Sequence, residues 1–119
     1  MKVNRDIRMI GEFVTFLNSL EPKVRKKYLY VMQILKTELV ISEKFIKHLE
    51  NTELYEMRVS LSSNEYRTII FSIDAVNIIS SSKVLLLNSF LKKDTKQYRS
   101  EISRAMKLLE DWRTAYEED

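Results

Sequence analysis

From Ile10 onward, apolar side chains recur every three or four positions, at Ile10, Phe13, Leu17 and Leu20. That spacing puts them on one face of an amphipathic helix. Glu21-Pro22 interrupts the pattern, and proline suits the first turn of a new helix, where its missing N–H costs nothing. A second stripe follows, Val24, Tyr28, Val31 and Leu35 with Leu29 and Met32 beside it, running to about Glu38. So tight a junction predicts an antiparallel helical hairpin. The residues ahead of it, Val3 to Arg8, predict a brief edge strand.

The period then changes. In Tyr55-Glu56-Met57-Arg58-Val59-Ser60-Leu61, apolar and polar residues alternate, the pattern of a half-buried strand. Ser62-Ser63-Asn64-Glu65 has turn chemistry, so Tyr66 to Ile73 reads as the returning strand of a hairpin. Val76 to Ile79 predicts a weaker strand. Lys83 to Leu91, apolar on both faces near its middle, predicts a central one. Asp94 or Thr95 then caps a long last helix whose buried stripe is Tyr98, Ile102, Ala105, Leu109 and Trp112. No repeat or linker composition interrupts residues 1–119, so one domain is expected over that range. The order of elements predicts an α+β sandwich: an N-terminal helical hairpin packed on an antiparallel β-meander, with a C-terminal helix, the helices covering one face of the sheet.

Composition removes most chemistries. With 45% hydrophobic and 31% charged residues, the chain can fold around a core. It has no Cys, one His, one Gly and one Pro. Disulfide staples, zinc–thiolate and multi-histidine metal sites, and Gly-rich phosphate loops therefore have no residues to be built from. No metal and no cofactor are expected. No apolar run approaches the roughly 20 residues of a membrane span, and the opening Met-Lys-Val-Asn-Arg-Asp lacks the apolar core of a signal peptide. A cytoplasmic protein without a membrane partner is expected.

Charge adds a position. Twenty Lys and Arg stand against seventeen Asp and Glu, a net +3, but three of the acids are the terminal Glu117, Glu118 and Asp119. Between Lys83 and Lys107, seven cations (Lys83, Lys92, Lys93, Lys96, Arg99, Arg104, Lys107) face only Asp94 and Glu101. A second cluster, Lys23, Arg25, Lys26 and Lys27, opens a helix. On the predicted strands, Glu56 and Arg58 point away from Tyr55, Met57 and Val59, and Arg67 lies across the hairpin. Lys92 and Lys93 end the third firm strand at the same edge. Each cation alone reads as a solvated charge or as a salt bridge, with Glu56 to Arg58 or Arg67 the obvious pairs. As a set they point to an anion, because like charges on adjacent strands repel unless one sits among them.

Those residues carry a resemblance. Leu49-Glu50-Asn51-Thr52-Glu53-Leu54-Tyr55-Glu56-Met57-Arg58, followed by Tyr66-Arg67, resembles the L-x-x-x-x-L-Y-E-L-R … Y-R region of RelE/HigB-type toxins of bacterial toxin–antitoxin pairs, nearest the phage-derived HigB branch. Val84 to Lys93, then Asp94 to Ile102 and Ala105, is similar to the V-L-L-H-G-F-x-K-K-T-x-K-x-P-x-x-E-I-x-x-A signature of that family. Asn88-Ser89 stands where the signature has His-Gly, Asp94 where it has Thr, and Tyr98 where it has Pro.

The resemblance implies a RelE-like fold and a metal-independent endoribonuclease that cleaves messenger RNA, commonly on the ribosome, and is neutralised by an antitoxin of helix-turn-helix type. RNA supplies its own nucleophile, the 2′-hydroxyl. The protein must move protons and stabilise charge on the phosphorane, and a forked Arg suits the second task. Arg67 is expected to stabilise the phosphorane and Arg58 to orient the phosphate or pair with Glu56. Lys92 and Lys93 are candidates for proton transfer. His48, expected in a loop ahead of the sheet, is an acid–base candidate or a bystander, being of the residue type that titrates nearest neutrality. Lys47, Lys96, Arg99 and Tyr66 are expected to contact RNA, Tyr66 by stacking. Replacing Arg67 is expected to leave folding almost untouched, since no apolar volume is lost. Two alternatives stay open: a ParE-like gyrase inhibitor that binds without cutting, and an inactive toxin-derived interaction module.

Overall fold

A computed structural model describes residues 1–117, with Glu117 described by its backbone alone. Glu118 and Asp119, two of the three acids that end the chain, lie outside the described residues, as does the Glu117 side chain. The elements are β1 (Asp6–Met9), α1 (Gly11–Ser19), α2 (Pro22–Thr37), β2 (Ile46–His48), β3 (Leu54–Leu61), β4 (Asn64–Ser72), a 3-10 turn (Ile78–Ser80), β5 (Lys83–Leu91) and α3 (Thr95–Glu117). The strands form one sheet in the order β1-β5-β4-β3-β2. The α+β architecture follows the sequence reading, as does the order of β1, α1, α2, β3, β4, β5 and α3.

Two features of the sheet differ from it. The sheet is mixed, because β1 runs parallel to β5, Ile7 opposite Val84, while the other pairs are antiparallel. And both faces are covered. Met57, Val59, Ile70, Val84 and Leu86 pack with Phe13, Val24, Tyr28, Val31 and Leu35 of α1 and α2. Leu54, Ile69, Phe71, Leu85, Leu87 and Phe90 pack on the opposite side with Ala105 and Leu109 of α3. The long last helix therefore cannot share a face with the first two: the sheet offers it a second apolar surface, and burying that surface is what holds it.

A bulge makes the second surface continuous. Thr68 pairs with Ser89 and Ile70 with Leu86, so Ile69 of β4 faces two residues of β5, Leu87 and Asn88. Leu87 joins the α3 core, and Asn88, fully buried, donates from Nδ2 to the Glu101 carbonyl (3.0 Å) and carboxylate (2.9 Å) on α3. The residue found in place of the signature histidine is thus a tie between strand and helix.

The predicted strand at Val76–Ile79 is instead a bend and the 3-10 turn. Both sides of β4 and β5 are already paired, and the segment satisfies its own backbone. Asn77 accepts the Ile79 N–H through its side chain (2.8 Å), and Asp74 accepts the N–H groups of Ser82 and Lys83 and both serine hydroxyls of Ser81 and Ser82. The Ser82 and Ser81 hydroxyls and those amides hold the Asp74 carboxyl well below the usual carboxylate range. In the other direction, β2 was not visible in the pattern, and it takes His48 out of the expected loop and into the sheet.

Two arginines staple the helices. Arg25 donates to the carbonyls of Leu17, Asn18 and Leu20, closing the C-terminal end of α1. Arg5, 1% exposed, donates to five carbonyls: Leu35, Glu38 and Leu39 at the end of α2, and Ile79 and Ser81 beside the 3-10 turn. At the start of α3, Asp94 accepts the Gln97 N–H through Oδ1 (2.8 Å), and Gln97 in turn accepts the Lys93 N–H and donates to the Leu91 carbonyl. Asp94→Ala is expected to lower stability by about 1 kcal/mol, the usual worth of such a cap, read as a shift in the urea midpoint with unchanged slope. Among the described residues, no helix is long and apolar enough to cross a membrane.

Candidate functional site

The β3–β4 register places Arg58 directly opposite Arg67, and Glu56 opposite Ile69, all on the face toward α3. Two guanidinium groups so paired repel unless an anion lies between them. Glu56 is that anion. Arg58 donates to its Oε1 from Nε and lies equally close through Nη2 (2.8 Å each), while Arg67 Nε lies 3.7 Å from Oε2. Glu56 is 2% exposed and Arg67 5%, so this is a buried floor, and the Arg58 side chain, 28% exposed, forms its open end. Burying such a set is tolerable because each charge has an opposite partner.

Arg67 is the constrained member. Its Nη1 donates to the Tyr66 carbonyl (3.0 Å), its Nη2 lies 3.6 Å from the Glu65 carboxylate, and its buried Nε has no hydrogen-bond partner. Tyr98, from the first turns of α3, donates its hydroxyl to Glu56 Oε2, the oxygen nearest that Nε. Burial and the Glu56 carboxylate push the Tyr98 phenol well above its ordinary range, which favours the protonated, donating hydroxyl. The Tyr98 ring stands edge-on to Phe90 (5.9 Å) under Lys92, whose Nζ lies 5.8 Å from the ring centre.

Lys92 also donates its backbone N–H to the Glu65 carbonyl, which fixes the β5–α3 junction against the start of β4. Exposed Lys93, Lys96 and Arg99 follow at that junction and on the first turns of α3, where the helix dipole adds positive potential. Lys47 pairs with Glu56 in the β2–β3 register and so stands on the same face, exposed. The structure therefore assembles Arg58, Arg67 and Lys47 on one sheet face, with Lys92, Lys93, Lys96 and Arg99 about the junction that delivers Tyr98 to it.

Two candidates fall elsewhere. Tyr66 lies on the opposite sheet face from Arg67, its ring against Tyr28 (6.1 Å) in the α1/α2 core. His48, at the end of β2, is on that opposite face too, its Nε2 on the Thr52 carbonyl (2.8 Å) and its ring 5.0 Å from Tyr55. It lines an open groove of about 920 Å³ with Thr52, Phe71, Asp74 and Val76, away from the arginines. Tyr98 is the residue that sequence reasoning missed: it was legible only as part of the α3 core stripe. The available signal was chemical, since a half-buried tyrosine must find a partner for its hydroxyl.

No curated protein and no solved structure matches this chain significantly. A family model does, that of "Phage derived protein Gp49-like (DUF891)", over residues 15–110. That span takes in α2, the sheet from β2 to β5 and most of α3, and with them every residue of the cationic face. The chain belongs to the phage-derived Gp49-like family, a toxin-like family of the RelE/ParE type.

Proposed function

We propose that this protein is the toxin of a toxin–antitoxin pair, in the HigB-like branch, and that it cleaves messenger RNA on the ribosome without a metal. The observation that carries this reading is the Arg58–Arg67 pair, set opposite each other over a carboxylate floor and rimmed by lysines. Such a face suits a phosphodiester. In the proposed reaction the 2′-oxygen attacks the adjacent phosphorus and the 5′-oxygen leaves, giving a 2′,3′-cyclic phosphate and a free 5′-hydroxyl. The 2′-hydroxyl proton is removed and one is delivered to the leaving oxygen, Lys92 and Lys93 being the side chains at hand. Arg58 grips the phosphate from the open end. Arg67, fixed from behind by the Tyr66 carbonyl, adds charge beneath it as the phosphorane forms. The antitoxin, a helix-turn-helix protein in this reading, neutralises the toxin.

One observation favours the non-cutting alternative, in which the face only binds: Glu56 already compensates both arginines, and Arg67 is 5% exposed. The test is incubation with message bound to ribosomes and with naked message, followed by mapping of 5′ ends. Cleavage of the ribosome-bound message that leaves 5′-hydroxyl and 2′,3′-cyclic phosphate ends, the mark of 2′-oxygen attack, is the expected result. Intact message under both conditions, together with normal growth when the protein is expressed alone, would defeat the nuclease reading.

Binding gives an independent check. If about four phosphates are neutralised, affinity for single-stranded RNA should fall with salt at a log–log slope near −3, at roughly −0.7 per phosphate. Lys96→Ala should make the slope shallower by about 0.7 and weaken all sequences alike. A flat salt response rules out an electrostatic RNA site.

A further inference from the structure

The cations that open α2 have no part in the site just described. One of them, Arg25, is spent on the α1 carbonyls. The other three, Lys23, Lys26 and Lys27, stand with Tyr30 at i, i+3, i+4 and i+7, which is one stripe of the helix. The buried stripe is Val24, Tyr28, Val31 and Leu35, so core packing does not explain an aromatic at position 30, and Tyr30 is 55% exposed. Lys27 Nζ lies 5.5 Å from the Tyr30 ring centre, and the ring meets Phe45 edge-on at 6.4 Å. Lys44 Nζ lies 5.5 Å from the Phe45 ring centre. Two rings are thus held between two ammonium groups, with Lys26 exposed one helical turn before Tyr30 and Lys23 two turns before it.

This patch is joined to the arginine site by a few residues of backbone. The Phe45 carbonyl accepts the Arg58 N–H (2.7 Å), and the Glu43 carbonyl accepts from Arg58 Nη1 (3.5 Å). Phe45 faces the α1/α2 side, Arg58 the α3 side, and Lys47 follows on the latter, so the two cationic surfaces meet around the short strand β2. Glu43 is the acidic neighbour at this edge, and its charge is outnumbered.

We infer that Tyr30 and Phe45, with Lys23, Lys26, Lys27 and Lys44, form a stacking platform for an unpaired base of single-stranded RNA whose backbone passes around the β2 edge from the Arg58 site. Single strands are held by this combination: an aromatic face for the base and cations for the flanking phosphates. A duplex cannot present an unstacked base to Tyr30. The inference rests on the reading of the Arg58 face as an RNA site, and its experiment separates the two.

The probe is a short, labelled, single-stranded oligonucleotide with every 2′-hydroxyl methylated, which the full chain can bind but not cut. Tyr30→Ala should weaken binding about tenfold, the scale of one lost base–aromatic stack, while Tyr30→Phe stays within about twofold of wild type. Lys44→Ala should reduce the salt slope by about 0.7. The same oligonucleotide annealed to its complement should show no dependence on Tyr30. Thermal melting of each variant checks that the exposed substitution leaves the fold intact. Wild-type binding by Tyr30→Ala overturns the platform, as does equal weakening by Tyr30→Phe. Retained RNA binding by Tyr30→Ala with loss of antitoxin co-purification also overturns it, assigning the patch to a protein. Because the methylated probe is never cleaved, absence of nuclease activity in the wild type defeats only the proposed reaction, and a Tyr30→Ala variant that binds normally defeats only the platform.

Discussion

Arg5→Ala is expected to cost about 4 kcal/mol of folding stability, more than any other single polar substitution in the protein. Five backbone carbonyls on two segments, the end of α2 and the 3-10 turn, accept from one guanidinium. Three of them are at the C-terminal end of α2, where carbonyls lack helical partners and the dipole is negative, so a cation is well matched there. Removing the side chain leaves a void in a site with 1% exposure and strands acceptors whose burial without a partner costs about 1–3 kcal/mol each. Water entering the void recovers part of that loss, which is why the expected total is well below five full penalties. Arg5→Lys should recover less than half, because a compact ammonium has three donors and cannot reach both the α2 end and the 3-10 turn. Urea unfolding checks this, and a loss below about 1 kcal/mol for Arg5→Ala would show that the carbonyls find other partners unaided.

Arg67→Ala is expected to slow message cleavage by about 100-fold or more, near 3 kcal/mol of transition-state stabilisation. Arg67→Lys should regain little, since an ammonium cannot keep the Tyr66 carbonyl contact and also present a planar fork to a phosphate. The structure changes the expected folding effect. Seen as a strand residue with no apolar volume, Arg67 looked dispensable for stability; at 5% exposure beside Glu56, its removal should cost about 1–3 kcal/mol, with Arg58 and Tyr98 limiting the damage. Cleavage must therefore be compared well below the melting temperature of the weaker variant. If Arg67→Ala then cleaves at the wild-type rate, the residue has no place in the reaction and only holds Glu56.

The elements that could be read from the sequence are those with several residues repeating one period. The alternation through Tyr55–Leu61 and the stripe through Val24–Leu35 located β3 and α2 almost to the residue. Ile46–His48 was illegible because three residues with one apolar member carry no period. Val76–Ile79 misled because β-branched residues also suit a 3-10 turn when Asn77 and Asp74 satisfy the backbone. The larger miss concerned the second face. Alternation marks every polar residue as solvent-facing, so Glu56 and Arg67 read as exposed, and only the arrival of α3 buries them. The site was legible to the extent that it was local: the Glu56, Arg58 and Arg67 relation follows from hairpin register. Tyr98 reaches Glu56 from 42 residues away in the chain, and no local pattern encodes that meeting.

The order of the strands has a consequence for how the chain behaves in a crowded solution. The long strands β3, β4 and β5 are all interior, and the two outermost strands are four and three residues long. One outer strand carries the Asp6–Arg8 ion pair, and the other exposes Lys47 and His48. A neighbouring copy that tried to extend the sheet would find little ladder to add to and would have to desolvate those charges. The apolar strands that would make the most persistent fibrils are shut inside, so pairing between copies has no long strand edge from which to start.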